Sequence, residues 1–469
     1  MKKRLLFAGI ALLFLMGSLM GCGDKSSDVE TDFAETETEA PAETPSKPED
    51  TTDYEALLSH PFADLTDAPA TDFSYTVAEG AVTVQKYIGS ETRVRVPASI
   101  EGCPVTAIGD GAFSGCGELT VLYLPDSVTR FGEGVLVGCG KLYALRSPLS
   151  TEEGKGHLGY FYGAESYETN NMPDLRALDF FELGGAPEAL QSFALYDCND
   201  LVALRLPESV RTLEPYSLYR CESLKYLNTQ SLTVIESHAM DFCLGLETLT
   251  LPDSLQRIGL GAFESCHGLR RLTLPFVGES RESNRFLGYV FGAEQAGFSK
   301  GFYSMSLEWV TVTEGITSLD AYAFFECATL RSVTLPKSVT EIGARAFSGC
   351  VKLREAVLPE HLASIGDHAF SGCAGLTEMN LGEGLTAIGV NAFLNCRALT
   401  AVTLPSTLKS LPNACFQGCS ALKTVELGGV TSVGANAFWG CDSLETVTAA
   451  GEVSFADGNE RARTLASSN

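Results

Sequence analysis

The sequence predicts a repeat solenoid in which each coil contributes one short β-strand and returns along a short 3₁₀ or irregular side. Two observations carry this: cysteines recur at a fixed spacing over most of the chain, and the apolar residues between them keep one register in every period. A chain of 469 residues would otherwise be expected to form about three globular domains, a prior that fails for tandem repeats.

Twelve cysteines mark the period: Cys116, Cys139, Cys198, Cys221, Cys243, Cys266, Cys327, Cys350, Cys373, Cys396, Cys419 and Cys441. Neighbours are 22 or 23 residues apart, except that 59 residues separate Cys139 from Cys198 and 61 separate Cys266 from Cys327. Those two gaps are read as insertions at about 147–185 and 276–305, in a right-handed, curved array of about twelve coils over residues 117–450.

In the specimen from Leu330 to Cys350, Leu330, Val333 and Leu335 give the alternation of a strand, which Pro336 ends by removing a ladder donor. The return path, Ile342-Gly343-x-x-Ala346-Phe347, is too short for a long helix. One coil buries about five or six large apolar groups worth about 1.5–3 kcal/mol each, too little to offset the entropy of ordering it alone. Each coil must therefore be closed by its neighbours.

The aromatic slot supports the register. Phe113, Phe263, Phe324, Phe347, Phe370, Phe393, Phe416 and Phe438 occupy it, with Leu136, Leu195, Leu218 and Met240 elsewhere. A column of this kind reads as core. The cysteines, all in one slot, read as a buried ladder of free thiols in preference to disulfides. Cys103 and Cys415 lie off that ladder and their state is open.

These residues resemble the BspA-like leucine-rich repeats of bacterial surface proteins, whose unit is close to L-x-x-V-x-L-P-x-S-V-x-x-I-G-x-x-A-F-x-x-C. Val82 to Cys116, with Val94-Arg95-Val96-Pro97, is similar to the family's atypical first repeat, which implies an N-terminal cap with a β-hairpin over 73–116. The resemblance also implies surface display and, for several kinds of member, adhesion.

Ahead of the repeats, Met1 to Arg4 supply a basic region and Leu5 to Met20 an apolar run. At sixteen residues it is short of the roughly 20 that span a bilayer, so residues 1–21 read as a signal peptide, not a permanent membrane helix. Leu19-Met20-Gly21-Cys22 resembles the lipobox of bacterial lipoproteins, which implies that Cys22 carries a lipid anchor at the outer face of the cell membrane. Residues 22–72 are grouped as an acidic tether rich in Glu, Thr and Pro, disordered because so few large apolar side chains offset its ordering entropy. Residues 451–469 read as a polar tail.

The net charge of −26, with no concentration of Lys and Arg, argues against nucleic acid as a partner. No paired Cys or His spacing for a metal, no phosphate loop and no local nucleophile signature is visible, so no cofactor is expected and catalysis hidden in the insertions ranks last. Two candidate binding surfaces remain. The outward strand slots hold Thr248, Thr250, Thr334 and Thr403, a choice that β-propensity alone would also make. The insertions share a duplicated element, Leu158 to Glu165 and Leu287 to Glu294, flanked by further aromatics. Tyr160, Phe161, Tyr162, Tyr167, Tyr289, Phe291, Phe298 and Tyr303 are either projecting hot spots for an extracellular protein or glycan, or a satellite core. A non-catalytic surface binding module is the leading expectation; an envelope-organising protein is the alternative.

Overall fold

The structure, a computed structural model, describes residues 61–170, 172–283, 285–297 and 306–467. Cys22 and the leader lie outside the described residues, as do Phe298 and Tyr303. No helix among the described residues is long and apolar enough to cross a membrane.

Successive short strands pair in parallel and in register in three runs, Arg93–Arg95 to Tyr226–Leu227, Thr248–Thr250 to Glu355–Val357 and Ala401–Thr403 to Thr446–Thr448. Each sends its central residue inward, as in Leu249, Leu272, Val310 and Val333, and its flanking residues outward. Pro336 and its equivalents end these strands, and a second parallel ladder follows at the Ile342 slot, pairing Leu319, Ile342, Ile365 and Ile388. The first ladder has fourteen strands and an isolated bridge at Asn380. With the N-terminal hairpin this gives about sixteen turns, where the cysteine count predicted twelve. The missing coils are those whose marker slot is not cysteine: the two enlarged coils and the last.

The return side has its own axial hydrogen bonds. Two residues per coil, one before the Ala slot and one two places after the Phe slot, adopt left-handed backbone, as at Arg345 (φ 58°) and Gly349 (φ 82°). This geometry turns alternate N–H groups along the solenoid axis. Arg345, Phe347 and Gly349 donate to the carbonyls of Asp367, Ala369 and Ser371 at 2.9, 2.7 and 2.9 Å.

The cysteines complete that network. The Cys373 thiol donates to the Phe347 carbonyl of the preceding coil at 3.1 Å, and the pattern recurs from Cys396 to Phe370 and from Cys419 to Phe393. A thiol is small enough to be buried and still supplies a donor. All fourteen described cysteines are free, including Cys103, which is half-buried, and Cys415, which fills an Ala slot in the core. Burial pushes the Cys139 and Cys266 thiols up to about 12. Beside them, Phe324, Phe347, Phe370, Phe393, Phe416 and Phe438 stack with centroids 5.0–5.8 Å apart and planes within 10°.

Both ends are closed. A hairpin of β1 (Phe73–Ala78) and β2 (Ala81–Tyr87) turns through Glu79 and Gly80, both at positive φ, and β2 pairs in parallel with the chain at Val105–Ile108. At the other end, the segment read as a polar tail supplies the last rung at Ser454–Phe455 and a helix, α1 (Glu460–Ser467). Asn459, fully buried, accepts the Phe438 N–H at 3.0 Å and donates to the Gly434 carbonyl at 2.9 Å, standing in for the coil that does not follow.

The start of the fold also lies earlier than composition suggested. Residues 61–67, grouped with the acidic tether, pack across the outer sheet face. Phe62 is buried edge-on against Tyr123 and Phe180, and Asp64 makes a bidentate pair with Arg93 at 2.9 and 2.7 Å. Their acidity serves a specific docking instead of solvation.

The burial of the thiols sets an expected reactivity. In the native protein only Cys103 and Cys116, both half-buried, should react with a thiol reagent among the fourteen described cysteines, and all should react in guanidinium. Reaction of the buried ladder cysteines, Cys139 to Cys441, at native rates comparable to Cys103 would contradict the packing described.

Candidate functional site

The outward strand slots form a polar face. Thr250, Thr334 and Thr403 are exposed and Thr248 is half-buried. Thr250, Thr273, Thr311 and Thr334 stand in one row on consecutive rungs. Towards the N-terminus the same face is occupied: Arg95 and Arg146 sandwich the Tyr123 ring at 4.2 and 4.4 Å, and Phe62 covers Val121, Ala144 and Phe180.

The duplicated elements do not project. Each forms a 3₁₀ helix, Leu158–Tyr162 and Leu287–Phe291, closed by a left-handed glycine at Gly163 or Gly292. Each is also threaded into the return-side ladder: the Leu136 N–H donates to Phe161 O and Leu158 N–H to Ala194 O, while Phe263 donates to Val290 O and Leu287 to Ala323 O. The insertions are therefore enlarged coils, running from the strand at Ala144–Ser147 to Phe180–Leu183 and from Arg271–Leu274 to Trp309–Val312.

Phe161, Tyr162 and Phe291, expected among the surface candidates, are core side chains, at most 1% exposed. The reason is register: Phe161 and Val290 accept from Leu136 and Phe263 as Ala-slot residues do, so Phe161 packs inward on Phe131 at 4.7 Å and Phe291, one place later in the Phe slot, packs on Phe263 at 6.3 Å. Tyr160 and Tyr289 are half-buried against the core. In the first enlarged coil, Asn170 accepts the Gly159 N–H at 2.7 Å, contacts His157 Nδ1 at 2.7 Å and donates to Tyr196 O at 2.8 Å. A Cβ on Gly159 would lie 2.1 Å from Asn170 Oδ1, so glycine is required there.

Tyr167 leads to a surface that sequence reasoning missed. Its ring stacks on Phe193 at 4.0 Å, Phe193 stacks on Tyr216 at 5.5 Å, and Tyr216 on His238 at 5.2 Å. A second column runs beside it, with Tyr196 stacked on Tyr219 at 4.9 Å and Tyr219 edge-on to Phe242 at 5.7 Å. All seven side chains are half-buried. Phe193, Tyr216, His238 and Phe242 sit at φ of 56–63°, the left-handed slots that elsewhere carry Gly111, Gly134, Asn391 or Gly418. Left-handed backbone costs a residue with a Cβ about 1–2 kcal/mol, so a bulky aromatic is a poor choice for stability alone. The signal was legible: in these coils the core slot holds Leu195, Leu218 and Met240, and the aromatic residues have moved to the slots flanking it.

At the end of this ridge His238, Asp241 and Glu264 converge, each offering a ligand atom within 4.8 Å of the others. His238 Nδ1 lies 3.5 Å from Asp241 Oδ2 and 3.4 Å from Glu264 Oε2. Asp241 is buried, and its Oδ1 has no hydrogen-bond partner. The facing Asp241 carboxylate raises the His238 pKa, and burial beside Asp241 raises that of Glu264. Glu264 occupies in its coil the slot Asp241 occupies in the preceding one, so the triad exists only because coils stack, and no motif spacing announced it.

A principal strand and a shorter second strand in each period of about 23 residues, both stacked in parallel, are the pattern of a leucine-rich repeat protein. The model of the BspA type Leucine rich repeat region matches residues 95–174, 177–288, 298–360 and 346–459 in 6 copies, and the chain belongs to that family. Among solved structures, it is similar to a leucine rich cell surface protein from Faecalibacterium prausnitzii, at 24% identity over 77% of this chain and 94% of the other, with a TM-score of 0.31. A leucine-rich repeat protein from Bacteroides ovatus is 19% identical over 84% of this chain and 99% of its own, with a TM-score of 0.33. No curated protein matches the chain.

Core and surface aromatics separate by mutation. Phe161→Ala and Phe291→Ala should each destabilise the protein by about 3–5 kcal/mol, whereas Thr334→Ala should change it by less than about 0.5 kcal/mol. Chemical denaturation reads both, and a small effect at Phe161 and Phe291 would return them to the surface set.

Proposed function

We propose that this protein is an exported, lipid-anchored surface protein whose solenoid is a non-catalytic binding module, and that the aromatic ridge is its contact surface for an extracellular protein. The ridge is the observation that carries the reading. Seven half-exposed aromatic residues fall in neighbouring coils, four of them at backbone positions where glycine or asparagine would be less strained. Tyrosine supplies large contact area with little rotamer entropy, which is why it concentrates at protein hot spots.

Stacking favours protein over carbohydrate as the partner. The rings of Phe193 and Tyr216, and those of Tyr196 and Tyr219, spend their faces on each other, so the ridge presents edges and hydroxyl groups, whereas a sugar stacks on an open ring face. Membership of the BspA type repeat family and the likeness to a protein described as a cell surface protein support the location. The leader and Cys22 support export and anchoring.

The test is a panel of extracellular-matrix proteins, mucins and glycans presented to wild type and to the double variant Tyr196→Ser, Tyr219→Ser. Binding to a protein in the panel should fall at least tenfold in the variant, with thermal stability nearly unchanged. Binding that survives in the variant, or is confined to glycans, overturns the ridge as a protein contact. The anchor has its own check: Cys22→Ala should move the protein from the membrane fraction to the medium, and unchanged retention would remove the lipid from the account.

A further inference from the structure

We propose that His238 Nδ1, an Asp241 carboxylate oxygen and Glu264 Oε2 form a mononuclear site for a divalent transition metal, with Zn²⁺ the ion that best suits the set. This inference is independent of the ridge's role in protein binding.

The spacing is that of metal ligands more than of an ion pair. A charge-assisted hydrogen bond from an imidazole to a carboxylate spans about 2.7–2.9 Å. The two contacts of Nδ1 are 3.5 and 3.4 Å long. Ligands bound at about 2.0–2.2 Å in a tetrahedron stand roughly 3.3–3.6 Å apart, which matches both contacts. The Asp241–Glu264 separation, within 4.8 Å, is the one that must shorten, and the Glu264 side chain, 34% exposed, has the freedom to do it.

A second observation is the state of Asp241. Its side chain is only 7% exposed, yet Oδ1 has no partner and Oδ2 has only the long contact to His238. A buried carboxylate stacked one coil from a second carboxylate needs a cation, and a divalent ion with two carboxylates and a neutral imidazole leaves the site neutral. The imidazole is already oriented, its face held against Tyr216.

The space for an ion is also preserved. A Cβ on Gly261 would lie 3.0 Å from His238 Nδ1 and 2.9 Å from Glu264 Oε2, on top of the proposed ligands, and one on Gly292 would lie 3.0 Å from the Glu264 carboxyl. The backbone at Gly261 does not itself demand glycine, because Tyr216, Tyr322, Arg345 and Ala414 occupy the same left-handed slot in other coils.

The ligand chemistry selects the ion. One nitrogen and two carboxylate oxygens are too few and too mixed for Ca²⁺ or Mg²⁺, which take six or more oxygens. Cu²⁺ prefers a tetragonal arrangement, whereas Zn²⁺ accepts three protein ligands with a fourth position left to water or a partner's group.

The experiment is calorimetric titration of the EDTA-stripped full chain with ZnCl₂, comparing wild type with His238→Gln, Glu264→Gln and Gly261→Ala. Wild type should take up one more zinc per chain than Glu264→Gln does, and zinc should raise its melting temperature. His238→Gln and Glu264→Gln should each weaken that site at least about tenfold. Gly261→Ala should weaken it with the fold intact, since alanine is tolerated in this slot at Ala414. Glu236→Gln, whose carboxylate pairs with Arg257 outside the triad, should bind zinc as wild type does. The site is overturned if wild type binds no zinc beyond Glu264→Gln, or if all variants bind alike.

Discussion

The constraint on which the rest depends is that no coil is closed by itself. A coil buries one inward strand residue, an Ile-slot residue, an Ala, a Phe and a Cys, and each of these surfaces is half covered until the next coil is laid on it. Three axial hydrogen-bond systems hold the stack: the two strand ladders and the return-side ladder made possible by paired left-handed residues. The thiol slot links them. The Phe347 carbonyl, for example, accepts both the N–H of Cys350 in its own coil and the thiol of Cys373 in the next, so a buried acceptor is satisfied without admitting water.

That constraint decides where variation is allowed. An inward slot must fit the slots above and below, which is why the enlarged coils keep aromatic residues inside, Phe291 against Phe263 of the Phe column and Phe161 against Phe131 of the Ile slot, and place their extra length around them. Outward slots are free of this demand. The ridge arises where Leu195, Leu218 and Met240 replace the core phenylalanine and aromatic residues appear outside instead. Stacking between coils then gives those outer residues fixed positions about 5 Å apart, so a repeat scaffold turns a sequence periodicity into an ordered surface.

The two ends answer the same constraint differently. A β-hairpin pairs with the first coil through its backbone, and α1 with Asn459 covers the last, where the Asn459 side chain takes over hydrogen bonds that a further coil would have made. Next to the hairpin, residues 61–67 lie over outward slots that hold Val121, Ala144 and Phe180. Those slots are more apolar than the threonine row farther along, and their covering comes from the chain itself.

Period, register and the inward slots were determined by the sequence alone, because a side chain that must repeat against its own copy leaves the same residue type at the same spacing: Phe324 to Phe438 and the cysteine ladder could be placed without coordinates. What lies between coils could not. The aromatic residues of the enlarged coils look alike in sequence whether they project or pack, and only the pairing of Phe161 and Val290 with neighbouring backbone put them inside. The acidic residues Asp64 and Asp67 read as solvated tether until Arg93 and Arg95 were seen across from them. His238, Asp241 and Glu264 share no local motif; they meet because a parallel stack brings residues about 23 apart in sequence to within a few ångström, a distance that only the tertiary structure sets.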